Sequence, residues 1–276
     1  MSNNQNLTDL KNQIKTSIRR NSEQGFFTYG GCNRVCGEML SIMQNVEAST
    51  DAVKAFGIYT MVLLEAIKLI SHADTSSGVA GDVIRGCLIE IGMLCQTADD
   101  ENHKHFFDTI IKTAKNKAFK DWSGDAYRLL KSAVYFIHNQ KQAQKVYDVF
   151  PLLGTMYDGK DYPDKLLITH GIIERLEGKE AADKYLMDNI GVPEIRVIAV
   201  ENALAAKNYP LTEKLCIEAL KKDPRGYFNT PAPWAYSLEN DLFEVRLMAI
   251  STRLRHGHTI LRGYIPKLQL KRNLLR

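Results

Sequence analysis

Apolar residues recur along this chain in a three-four rhythm. Phe56, Thr60, Leu63, Leu64, Ile67 and Ile70 fall on one side of a helix, and Ile84, Cys87, Leu88, Ile91, Leu94 and Cys95 repeat the arrangement in the next segment. Phe106, Phe107, Ile110, Ile111 and Ala114 do so again, as do Tyr127, Leu130, Ala133, Val134 and Ile137. This spacing gives each segment one greasy stripe, the pattern of an amphipathic α-helix. No stretch of comparable length alternates apolar with polar residues, so strands are not expected in any number.

Polar breaks separate the stripes. "ADTSSG" (73–78) offers Asp and Ser caps before a helix that starts near Val79, and "QTADDEN" (96–102) closes that helix. "DWSGD" (121–125), "YDGKDYP" (157–163), "NIGVPE" (189–194), "KNYP" (207–210) and "DPRGYFNTPAPW" (223–234) act alike, joining Gly or Pro to a capping side chain. The spacing predicts about a dozen helices of roughly 10 to 20 residues, and connections this short make neighbours antiparallel. "PEIRVIAVENALAAKNYPLTEKLCIEALKKDP" (193–224) reads as two helices folded at "KNYP", with Val197, Ile198 and Leu204 on one apolar face and Leu215, Cys216, Ala219 and Leu220 on the other. One hairpin cannot bury its apolar face alone, so stacked neighbours must supply the missing surface. The expected fold is all-α: an α-solenoid of antiparallel helical hairpins, TPR-like or HEAT-like, forming one repeat domain over 1–276 with a basic tail at 266–276.

Composition adds limits. A chain of 276 residues, 45% hydrophobic and 25% charged, has the makeup of an ordinary soluble globular protein and enough length for a sizeable core. No apolar run approaches the ~18 residues that span a bilayer. The polar start "MSNNQNLTDLKNQIK" lacks the profile of a secretory signal. A cytoplasmic protein with no membrane partner is expected. The five cysteines, Cys32, Cys36, Cys87, Cys95 and Cys216, are odd in number and scattered, which favours reduced thiols over a disulfide framework. The formal charge is +4, yet Arg253, Arg255, Arg262, Lys267, Lys271, Arg272 and Arg276 crowd the last stretch with no acidic residue among them. That run is either a solvated basic terminus or a contact for nucleic acid or an acidic partner.

Candidate chemistry is sparse. Cys32 and Cys36, in "FFTYGGCNRVCGE", share one side of a helix beginning near Asn33. A zinc site needs four ligands and no second matching pair follows; a redox pair is usually C-x-x-C beside a βαβ unit. They read as core residues. The His103/His105 and His256/His258 pairs lie two apart where helix is expected, about 200° around the axis from one another, so neither can grip one metal ion. His170 reads as a hydrogen-bonded helix residue. Asp74, Ser76, Ser77 and Asp82 in "ADTSSGVAGD" could hold a cation, or a phosphate at the helix start, but their chemistry is also that of a helix-to-helix turn, the reading preferred here. No nucleotide-binding glycine loop, G-x-S-x-G or H-E-x-x-H occurs, and no catalytic residue, metal ligand or cofactor is expected. Trp122 and Trp234 sit beside turns, where tryptophan serves as a packing anchor or as a recognition residue.

Three stretches carry a resemblance. "GFFTYGGCNRVCGEMLSIM" (25–43), "SHADTSSGVAGDVIRGCLIEIG" (71–92) with "DWSGDAYRLLKSA" (121–133), and the hairpin at 193–224 resemble, in this order, the helical region that follows the zinc finger in bacterial SWIM-type zinc-finger proteins. The matching positions are Gly25, Phe26 and Tyr29; Asp74, Ser76, Ser77 and Gly78; Asp121 and Trp122; and Arg196, Tyr209 and Leu215, the last a leucine where a small residue is expected. The finger itself needs C-x-C and then C-x-H, and no cysteine here has Cys or His two places on. The resemblance therefore implies a helical scaffold without the finger. The expected function is non-enzymatic: a helical-repeat scaffold that binds a protein partner along its surface. The alternative is a nucleic-acid-associated accessory protein that acts with a helicase-type partner, as the resemblance implies, through the basic C-terminal segment. Candidate binding residues are Arg253, Arg255, Arg262, Lys267, Lys271 and Arg272, with Trp122 and Trp234.

Overall fold

Eleven α-helices and three short 3-10 turns make up 77% of the residues that the computed structural model describes, 6–46 and 51–222, and no strand occurs among them. The chain divides into two compact units, Met1–Ala182 and Asp183–Arg276. Helices α1 (Leu7–Asn21), α2 (Tyr29–Val46), α3 (Ala52–Ile70), α4 (Val79–Gln96), α5 (Asp100–Ala114), α6 (Ser123–Ala133), α7 (Gln140–Tyr147) and α8 (Asp164–Glu177) lie in the first unit. α9 (Lys179–Asp188) spans the division, and α10 (Pro193–Ala205) and α11 (Tyr209–Lys222) belong to the second. Several starts are fixed by short polar side chains. Asn6, Asp51 and Asn139 each accept a hydrogen bond from the backbone N–H three residues on, at 3.0, 3.0 and 3.1 Å, pairing donors that the first turn leaves free.

In the first unit, α1 packs on α2, α3 on α4 and α5 on α6. α1, α3 and α5 also pack in succession, as do α2, α4, α6 and α8. α3 lies where these contacts meet, and its apolar residues leave it buried on nearly every side, with Phe56, Val62, Leu63, Ala66 and Ile67 fully covered. Phe56 stacks on Phe106 of α5, ring centroids 4.0 Å apart and planes within 9°. Cys87 Sγ of α4 meets Met43 Sδ of α2 at 3.6 Å. The predicted stripes of α3, α4, α5 and α6 face this core, with Leu64, Leu88 and Leu94 at its margin.

Boundaries depart from the sequence reading at three places. α2 begins at Tyr29 instead of near Asn33, because Thr28 caps it: its carbonyl accepts from Cys32 N at 2.8 Å and its hydroxyl from Gly31 N at 3.3 Å. α5 starts at Asp100, inside the polar stretch 96–102 that separates the stripes. α6 ends at Ala133, and Val134–Phe136 tightens into a 3-10 turn that delivers Ile137 to the core.

In the second unit α10 and α11 form the predicted hairpin, turning at Lys207, which adopts φ 57°. Leu215 and Cys216 of α11 are buried as expected, but on α10 the covered residues are Ile195, Ala199, Val200 and Ala203. Val197, Ile198 and Leu204, the face expected from sequence, are only half-buried. α10 carries apolar residues on every side, interrupted by Glu194, Arg196, Glu201 and Asn202, so its period does not single out a side. Arg196 is buried too, its guanidinium donating to Ile190 O at 3.1 Å and Gly191 O at 3.2 Å, which closes the turn ahead of α10.

Two glycines of α2 should behave oppositely. A Cβ on Gly31 would lie 2.6 Å from the backbone oxygen of Asn21, whereas Gly37 faces open space. Gly31→Ala should destabilise by ~1–3 kcal/mol, and Gly37→Ala should stabilise by up to ~1 kcal/mol. Urea unfolding of both variants reads the difference. By the same measurement, Phe56→Ala should cost about 3–5 kcal/mol.

Candidate functional site

The connections α1–α2, α3–α4 and α5–α6 are joined to one another by hydrogen bonds, so they form one edge of the first unit. The first reverses through Gln24 and Gly25, at φ 52° and 84°, while Glu23 and Phe26 exchange backbone hydrogen bonds of 2.8 and 3.0 Å. Positive φ at both central residues makes this a type I′ turn, which glycine favours. It leaves Phe26 49% exposed and turns Phe27 inward. Phe27 then bridges to the second connection: its N–H donates to His72 O at 2.9 Å and its carbonyl accepts from Asp74 N at 2.8 Å. Ser77 Oγ donates to Asn33 Oδ1 of α2 at 2.6 Å, adding a side-chain tie.

The third connection is tied in by its tryptophan. Trp122 Nε1 donates to Ser71 Oγ at 3.1 Å, which satisfies the indole donor while the ring stays 36% exposed. Behind it, the buried hydroxyl of Ser123 donates to Lys120 O at 3.0 Å and accepts from Gly154 N at 2.8 Å, fastening the chain that leads to α8. Phe26 and Trp122 thus stand on braced turns, and Tyr29 (53% exposed) follows Phe26 at the start of α2.

The remaining candidates find simpler roles. Asp74 Oδ1 accepts from Ser76 N at 3.0 Å, and its bonds to the Ser76 side chain and backbone lower its pKa. Gly78 at φ 79° then opens α4. Asp74, Ser76, Ser77 and Gly78 therefore build the turn. His103 and His105 diverge as predicted: His103 is half-buried, its Nε2 3.1 Å from Ala98 O and its ring 5.0 Å from Phe136, while His105 is exposed. His170 is half-buried on α8. No group of three or more metal-ligating side chains comes together among the described residues, and no helix among them is long and apolar enough to cross a membrane. Trp234, His256, His258, Arg253, Arg255, Arg262, Lys267, Lys271 and Arg272 lie outside the described residues.

Cys32 and Cys36 are fully buried on α2 with sulfurs 4.0 Å apart. Burial raises the pKa of Cys32 and pushes that of Cys36 up to about 12, which keeps both as thiols near neutrality and removes the thiolate that metals and electrophiles require. Burial likewise raises Cys87, and Cys95 to about 12. A neutral group held in the fold but free to ionise when unfolded favours the fold only while it stays protonated. That contribution is whole below the ordinary thiol value of 9.0 and declines as pH climbs toward 12.

Resistance to urea should therefore fall between pH 9 and 11, and less steeply in Cys36→Ala once its stability at pH 7 is subtracted. A thiol reagent at pH 8 should leave Cys32 and Cys36 unmodified until the protein unfolds. Trp122→Phe, which keeps the ring and loses the indole donor, should cost about 1 kcal/mol in the same unfolding experiment. Comparison with protein-family models, with curated proteins and with solved structures gives no match for this chain.

Proposed function

We propose that the first unit is an α-solenoid of antiparallel hairpins, TPR-like or HEAT-like, and that the chain is a non-enzymatic scaffold whose braced turn edge holds a protein partner. The observation that carries this reading is the exposure of Phe26 and Trp122 on two connections that both hydrogen-bond to the α3–α4 connection, with Tyr29 exposed at the start of α2 beside them. Large aromatic side chains exposed on a rigid support lose little freedom on binding, and such residues dominate the energy of protein interfaces. The packing of α1 on α3 and α5 in turn, and of α2 on α4, α6 and α8, supports the repeat reading. The residues that carry the SWIM-type resemblance in the first half, Gly25, Phe26, Tyr29, Asp74, Ser76, Ser77, Gly78, Asp121 and Trp122, all belong to this edge or flank it. We propose the resemblance as a relation of scaffold.

A second reading draws on the basic run from Arg253 to Arg276: a nucleic-acid contact beside a helicase-type partner. Cations over phosphates give binding that weakens steeply with salt.

A photo-activatable side chain placed at Tyr29 should give a discrete cross-linked protein in the native host, and one at Lys104 on the exposed surface of α5 should not. Phe26→Ala combined with Tyr29→Ala should weaken that complex by about 2 kcal/mol or more with little change in thermal unfolding. Equal cross-linking from both positions, or none, would reject the edge as the contact. For the second reading, the full chain should retard mixed DNA or RNA at low salt, and a chain ending at residue 252 should not.

A further inference from the structure

α1 and α2 lie antiparallel, and between them runs a cleft of about 710 Å3 in which every lining residue is polar. Arg34 and Glu38, both in this lining, stand one turn apart on α2, a spacing at which opposite charges ordinarily pair. Here α1 separates them. Arg34 Nε donates to Asn21 Oδ1 at 2.6 Å, and Glu38 Oε1 accepts from the amide of Gln13. Asn21 is itself fixed, its Nδ2 donating to Ser17 O at 2.8 Å. The guanidinium also lies against Gly30, where a Cβ would come within 3.3 Å of Nη1. The two charges are thus aimed by neutral partners and neutralised by neither. Arg20 lines the same end as Arg34, next to the turn, and Asp9 lies beyond Gln13 at the acidic end.

We propose that this cleft binds a short zwitterionic peptide with free ends, its carboxylate on Arg34 and its amine on Glu38, with Arg20 and Asp9 adding charge of the matching sign at the two ends. One helical turn separates the two charged residues by about 5.4 Å along the axis. Extended chain covers ~3.5 Å per residue, so a peptide of two or three residues spans the two heads, whereas a single amino acid holds its charges too close together. Guanidinium is suited to a carboxylate because its fork of donors matches two oxygens. Exposed charges give modest affinity, so saturation at millimolar ligand is expected. Such binding would stand whether or not a protein engages the turn edge.

The test titrates the full chain with diglycine and triglycine, their N-acetyl forms and their C-terminal amides, following backbone amide resonances and binding heats. The free-ended peptides should saturate with shifts centred on residues 34 and 38, and blocking either end should weaken binding about tenfold. Arg34→Gln should abolish the preference for a free carboxylate and Glu38→Gln that for a free amine, with thermal unfolding recorded for both. Should Arg34→Gln fail to fold, Arg20→Gln reads the same end. Absence of saturable shifts overturns the proposal. N-acetyl peptides binding as well as the free forms would reduce the cleft to an anion site, and amides binding equally would reduce it to a cation site; either result also overturns it.

Discussion

α3 can be a stable helix only while water is kept from almost its entire surface. Phe56, Val62, Leu63 and Ile67 are fully covered, and each contributes about 1.5–3 kcal/mol by leaving water. No single partner can cover all sides of a cylinder, so α1, α2, α4 and α5 must all be in place around it. The first unit is therefore held by packing that no hairpin possesses in isolation. This is also why its charged residues contribute modestly: pairs such as Lys145 with Asp108 at 3.0 Å lie in solvent at the surface.

Stacking helices around α3 brings their connections together at one edge, and there the backbone has polar groups to satisfy. Phe27 meets this need by pairing with His72 and Asp74, and the Ser123 side chain meets it at Lys120 O and Gly154 N, while Trp122 adds a side-chain tie to Ser71. An edge braced in this way holds its exposed aromatics in fixed positions. The same bracing explains why Asp and Ser, in a stretch that could have bound an ion, are consumed in turn geometry: Asp74 is committed to Ser76, and Ser77 to Asn33.

Close approach of α1 and α2 shapes the first hairpin in a different way. Gly31 lets the end of α1 sit against the start of α2, and the amides of Asn21 and Gln13 then fall opposite Arg34 and Glu38. The cleft is a consequence of that approach. Its charges are separated because α1 offers neutral partners at the two levels where α2 carries ions.

Much of the architecture was legible in the residues. Phe106, Phe107, Ile110 and Ile111 announced a helix and its buried face, because periodicity and burial have the same cause. The break at 73–78 announced where α4 begins, but the expected Asp and Ser caps are not the cap: Gly78 opens the helix with no side-chain cap bond, and Asp74 is bonded to Ser76 N. Cys32 and Cys36 were legible as core because i, i+4 places them on one side. α10 lacks that contrast: with apolar residues on every side, only its neighbours decide that Ile195 and Val200 go inside and Val197 stays at the margin. The edge was half legible, Trp122 standing out by its type while Phe26 and Tyr29 gained meaning as exposed residues only beside it. The roles of Arg34 and Glu38 were not legible, because Asn21 and Gln13, which bind them, come from another helix. The sequence determines which segments are helical and which side of most of them avoids water, because those follow from neighbours within a turn or two. Which turns meet, which aromatics remain outside and which charges stay unpaired depend on residues tens of positions apart, and only the packed chain brings those together.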